Sequence, residues 1–176
     1  MKKLLLFMTL VLLSSFVYAQ KIDKNYYDQF TGKRVMYTTL EKFNWKYKNP
    51  RIGGKMQVRF ILNDDFQYMV LHWYSKNYLD VAANAKIQFK LDNGHTITLN
   101  NESLVTATKG GTSLSKNDVG VVMNCLGDVS KFATAIVTAV RIYTSEGYYD
   151  FEIEPKDGAK LHKMYMLFSR EVYIGA

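Results

Sequence analysis

Seven consecutive residues, Lys42-Phe43-Asn44-Trp45-Lys46-Tyr47-Lys48, put aromatic side chains at odd positions and basic or amide side chains at even ones. In an extended backbone successive side chains point to opposite faces, so this segment presents one aromatic face and one cationic face. A row of cations attracts an acidic polymer, and aromatic rings that reach solvent stack on sugars or bases. Arg51, Lys55 and Arg59 follow in the next segment and extend the positive charge. The candidate ligand-binding residues are therefore Lys42, Trp45, Lys46, Tyr47, Lys48 and Arg51. The same alternation also describes an ordinary amphipathic strand, with Phe43, Trp45 and Tyr47 in a core and the lysines in water. One observable separates the two readings: the side to which Trp45 points.

An acidic counterpart lies near the other end of the chain, where Asp150, Glu152 and Glu154 alternate along a second extended segment. Their i, i+2 rise of about 6.8 Å falls within the carboxylate separation of inverting glycosidases. Any acidic alternating strand has that spacing, however, and Arg141 is expected on the same face. A neighbouring guanidinium favours the ionised carboxylate, whereas a general acid needs the reverse. A solvated, partly ion-paired face is the expectation; a calcium site, and after it a carboxylate-dependent hydrolase, are the lesser alternatives.

Other chemical signatures fail on spacing. His72, His95 and His162 are scattered, with no His-x-x-x-His and no paired cysteines to hold zinc. Asn63-Asp64-Asp65 is rich in oxygen but lacks the spaced ligands of a calcium loop. The glycine pairs at Gly53-Gly54 and Gly110-Gly111 do not fit the phosphate-binding loop, which needs Gly-Lys followed by Ser or Thr after a four-residue gap. The strained Gly-x-Ser-x-Gly elbow is absent. Cys125 is the only cysteine, so it makes no internal disulfide, and no local His or cation would activate its thiol. No catalytic residue, metal or cofactor is assigned.

The elements that must position these groups begin after an export signal. Met1-Lys2-Lys3, the apolar run Leu4 to Leu13 and the small-residue pattern Val17-Tyr18-Ala19 predict a signal peptide over residues 1–19, cleaved before Gln20. The apolar run is too short for a membrane span, and no cysteine follows the cut to carry a lipid. Residues 20–176 are expected to form a single β-rich domain, exported to the periplasm or beyond the cell and not a lipoprotein. The whole chain carries 23 Lys and Arg against 16 Asp and Glu, a formal +7. That charge is uneven: Gln20 to Phe60 holds ten basic residues and three acids, and the remainder eleven against thirteen. Export makes nucleic acid a poor partner. An anionic envelope glycan, lipid headgroup or protein surface is expected instead.

Most of the chain alternates with period two in short runs punctuated by Gly, Asn and Asp, the pattern of antiparallel strands. Strands are predicted over 33–47, 55–62, 66–74, 86–91, 95–99, 104–108, 119–125, 136–143 and 148–154. Turns are predicted at Asn63-Asp64-Asp65, Asp92-Asn93-Gly94 and Ser145-Glu146-Gly147. In the hairpin around Gly147, burial of Val140 and Ile142 with Tyr149, Phe151 and Ile153 requires opposing residue numbers to sum to an odd number. That register sets Arg141 beside Asp150 and Tyr148, and puts Thr138 on the buried face. Pro155 opens a helix whose Leu161, Met164, Tyr165 and Phe168 form an apolar stripe. Gly158 weakens its first turn. A shorter helical turn is predicted near 129–135, capped by Asp128.

The fold class that follows is mainly β: a sandwich or curled, barrel-like antiparallel sheet of eight or nine strands, with the C-terminal helix packed on it. The functional expectation is a soluble, non-enzymatic binding module. A barrel-type carrier of one small hydrophobic ligand is the alternative.

Overall fold

A computed structural model describes residues 21–47, 54–110 and 119–175. The predicted signal segment, Lys48 and Arg51 lie outside the described residues. The strands are β1 (Ile22–Tyr27), β2 (Arg34–Thr38), β3 (Glu41–Asn44), β4 (Lys46–Tyr47), β5 (Lys55–Asn63), β6 (Phe66–Tyr74) and β7 (Asp80–Val81). There follow β8 (Lys86–Leu91), β9 (Thr96–Asn101), β10 (Val105–Thr106), β11 (Thr108–Lys109), β12 (Val119–Leu126), β13 (Val137–Thr144) and β14 (Gly147–Glu152). A 3-10 turn spans Val129–Ala133, and α1 runs over Pro155–Ile174.

Every pairing among these strands is antiparallel, and the main sheet runs β1-β2-β5-β6-β12-β9-β8-β13-β14-β4. Its last strand, β4, is joined covalently to β3, which pairs back near the start of the order. β3 pairs with β5, β4 pairs with β14, and Trp45 alone separates β3 from β4. The sheet therefore curls round until β14 meets the continuation of the strand that flanks β5. The seam is only two residue pairs long, Phe151 with Tyr47 and Glu152 with Lys46, so the sheet is not closed along its length.

The single strand expected over 33–47 is three strands because the chain changes its pairing on the way. Val35 to Tyr37 oppose Asn63 to Ile61, but Glu41 to Asn44 oppose Val58 to Lys55, a register shift across residues 39 and 40. Bulges of this kind bend a strand and let a sheet curl. A second irregularity, between Val137 and Ala139, corrects the expectation for Thr138: Val137 is buried there and Thr138 faces solvent. Beyond the bulge the hairpin follows the odd-sum register, with Val140 opposite Phe151 and Arg141 opposite Asp150. β1, for which periodicity gave no signal, adds a strand at the outer edge.

The inner face of the curl is filled with side chains. Trp45 packs edge-on against Phe89 (centroids 6.3 Å apart), Trp73 against Phe151 (5.5 Å), and Phe132 of the 3-10 turn against both Phe60 and Phe89 (5.5 and 5.1 Å). Helix α1 lays its predicted stripe on this core, and Leu161, Met164, Tyr165 and Phe168 are all buried. Its first turn sits on Val137, where a Cβ at Gly158 would strike the carbonyl oxygen, so the glycine admits a close approach. Its last turn is tied to β2 by Arg34, which donates to the carbonyls of Val172 (3.1 Å) and Glu171 (2.9 Å). No described helix is long and apolar enough to cross a membrane.

Candidate functional site

The alternation at 42–47 places the aromatic residues inside. Phe43 and Trp45 are buried at 2 and 3 % exposure, and the Trp45 indole N–H has no hydrogen-bond partner. A buried ring cannot stack on a ligand from solvent, so Trp45 is a core residue. Tyr47 is half-buried, its ring against Tyr149 and Phe151 (5.7 and 5.2 Å). The surface role left to this segment belongs to its lysines.

Those lysines diverge. Lys46 crosses the seam to Glu154 (2.7 Å), which also takes Lys156 (2.9 Å). Lys46 first, then Lys156, hold the Glu154 carboxyl down to about 2. That is the opposite of what a general acid needs. Arg141 grips Asp150 with two bonds of 2.6 and 2.7 Å and lies 4.1 Å over the Tyr148 ring. The acidic ladder is thus a partly paired outer face.

Lys42 goes to a different surface. Cross-strand register sets it opposite Gln57, with Lys55 and Arg59 on the same outer face of β5, and His72 opposite Gln57 on β6. Tyr74, on that face, donates its hydroxyl proton to Gln57 Oε1 (2.9 Å), and the Arg59 guanidinium lies 5.4 Å over the Tyr37 ring. Two buried nitrogens here are unpartnered: Nε of Arg59, a donor, and Nδ1 of His72, which donates or accepts according to the ring's tautomer. Leaving such groups unmade costs about 1–3 kcal/mol each. Burial first, and the Arg59 charge second, lower the His72 imidazole from 6.5 to about 4, so it is neutral near pH 7. The face thus carries Lys42, Lys55 and Arg59 with two unpartnered nitrogens at its centre, and Glu102 borders it beside Tyr68.

The remaining histidines stay apart from it. His95 is exposed beside the Asn93 turn, and His162 donates from Nδ1 to the Phe132 carbonyl (2.9 Å). Cys125 is fully buried, and burial pushes its thiol far above the ordinary range. Among the described residues no group of three or more His, Cys, Asp or Glu is placed to hold a metal.

Sequence reasoning grouped Lys42, Lys55 and Arg59 with Lys46, and missed His72 as their neighbour. The alternation of His72 with Val70 and Tyr74 fixes its face, but only the pairing of β5 with β6 says which face carries the arginine. Comparisons with protein-family models, with curated proteins and with solved structures find no match to this chain.

Proposed function

We propose that the chain is an exported, non-enzymatic binding module that holds a carboxylate- or phosphate-bearing envelope glycan on the outer face of β3, β5 and β6. Lys42 and Lys55 draw the polymer in, and Arg59 with His72 takes an acidic group at the centre. The observation that carries this reading is the pair of buried, unpartnered nitrogens, Nε of Arg59 and Nδ1 of His72, in a face that also holds Lys42 and Lys55, with Glu102 at its edge beside Tyr68. With the His72 proton on Nδ1, one anion can accept from both nitrogens and recover the hydrogen bonds the free protein leaves unmade. The expectation of export rests on residues 1–19. A carrier needs interior room, and the aromatic packing across the curl occupies that space.

The test is retention of the purified protein on immobilised carboxylated and phosphorylated polysaccharides, with vesicles of anionic and of neutral lipid as parallel arms. Retention on the glycans should fall steeply with salt, because the exposed contacts are screened. The triple variant Lys42→Gln, Lys55→Gln, Arg59→Gln should lose it. Unchanged elution of that variant would refute the proposal, and binding to anionic vesicles alone would move the partner from glycan to lipid.

A further inference from the structure

A second surface, across the seam from β3, is a groove of about 420 Å³ lined by residues of β4, β14, β13, β8 and β9. Register explains the hollow. Lys46 opposes Glu152, Glu152 opposes Ala139, Ala139 opposes Lys90, and Lys90 opposes Thr96, so five strands contribute one straight row. Four of the five side chains are longer than a methyl. Ala139, in the middle, leaves a depression between Glu152 and Lys90.

The next row, Asp150-Arg141-Gln88, forms one wall. It is held rigid by the two Arg141–Asp150 bonds and by the stacking of Arg141 on Tyr148. Lys46, at the outer end, is committed to Glu154. Glu152 and Lys90 are both exposed, and among the described residues neither makes a direct ion pair, though the Glu152 charge acts on Lys46 across the seam. A carboxylate and an ammonium thus face each other across a methyl-floored gap without closing it.

We propose that this groove binds a small zwitterion of the α-amino acid class, with its amine toward Glu152 and its carboxylate toward Lys90 and Thr96. Neighbouring strands stand about 4.8 Å apart, so Glu152 and Lys90 arise roughly 10 Å from one another. Both side chains are long and exposed, so their charged ends can converge from those bases on one small molecule that carries both charges, as a free α-amino acid does. A plain anion meets Glu152 and Asp150, and a plain cation meets Lys90 and Arg141, so either alone is disfavoured. The Ala139 methyl and the aliphatic stems of Lys90 and Arg141 offer apolar surface to a side chain of modest size. The volume lies near the lower end for small-ligand sites, about 300–1,000 Å³. This site shares no residue with the face of Lys42, Lys55 and Arg59.

The experiment is calorimetric or NMR titration of the purified protein with L-valine, L-alanine and the other protein amino acids. N-acetyl-L-valine and L-valinamide serve as probes with one charge removed. L-valine or a close relative should bind, and each blocked form should bind at least about tenfold more weakly. Ala139→Phe fills the floor and should abolish binding. Glu152→Gln and Lys90→Gln, at exposed positions where folding is not at stake, should each weaken it, Glu152→Gln through the amine and Lys90→Gln through the carboxylate. Failure of every amino acid to bind, equal binding of the blocked forms, or unchanged binding by both exposed variants would each overturn the proposal. None of these outcomes bears on retention by anionic glycans.

Discussion

Replacing Gly158 by alanine tests whether the seat of α1 on the sheet is as tight as the geometry makes it. On helix propensity alone the change should stabilise, since glycine costs up to about 1 kcal/mol relative to alanine within a helix. The added Cβ, however, would lie 2.7 Å from Cγ2 of Ile136 and closer still to the carbonyl oxygen of Val137, where ordinary contact begins at 3.4 Å. A backbone carbonyl cannot rotate away, so the first turn of α1 must lift and take Leu161 with it. Overpacking of this kind costs about 1–3 kcal/mol. Net of the propensity gain, Gly158→Ala should lose up to about 2 kcal/mol, a fall of up to roughly 8 °C in Tm for a domain of this size. Urea unfolding followed by tryptophan fluorescence reads this directly, because Trp45 and Trp73 are both buried in the core. Lys163→Ala, at an exposed position of the same helix, is the control and should be neutral or slightly stabilising. A Gly158→Ala protein more stable than its parent, showing the propensity gain with no clash against it, would mean that the helix does not sit where the reasoning puts it.

Asn101 is buried and donates from its side-chain amide to the carbonyls of Val81, Ala82 and Ser103, pinning β7 to the end of β9. Asn101→Ala should cost about 1–3 kcal/mol and speed amide exchange in residues 79–85. The pKa of Glu154 is held down to about 2 by Lys46 and Lys156, so its contribution is complete above about 4.5 and is lost as pH falls toward 2. Glu154→Gln should remove that part of the acid limb of a stability–pH profile. His72 acts in a higher window: with the folded imidazole at about 4 and the unfolded one near 6.5, the unfolded chain takes the proton first. Stability should therefore decline as pH drops from 6.5 to 4, and His72→Gln should flatten that slope. Cys125 should resist thiol reagents in the native protein and react in step with unfolding; fast native labelling would contradict its burial.

What could be read in advance was local. The stripe of Leu161, Met164, Tyr165 and Phe168 is a spacing within one helix, and it packs as spaced. The pairing of Arg141 with Asp150 followed from one turn and one alternation, since a tight hairpin leaves little choice of register once one face must be buried. The bulge that turned Thr138 outward was not legible, because the extra residue answers to β8, not to its neighbours in the chain. Nor was the divergence of Lys42 from Lys46. Both point away from the core, as alternation requires, but the sheet bends between them, and they end on different flanks.

By itself the sequence determined strand type, helix, turns and the sidedness of each element, because these depend on side-chain period and on the few residues that tolerate a turn's backbone. The tertiary structure decided which strands lie side by side. That choice brings Arg59 to His72 from separate strands, and it builds the row from Lys46 to Thr96 out of five segments far apart in the chain. Both candidate surfaces are products of cross-strand register, a property of non-local pairing that no single segment carries.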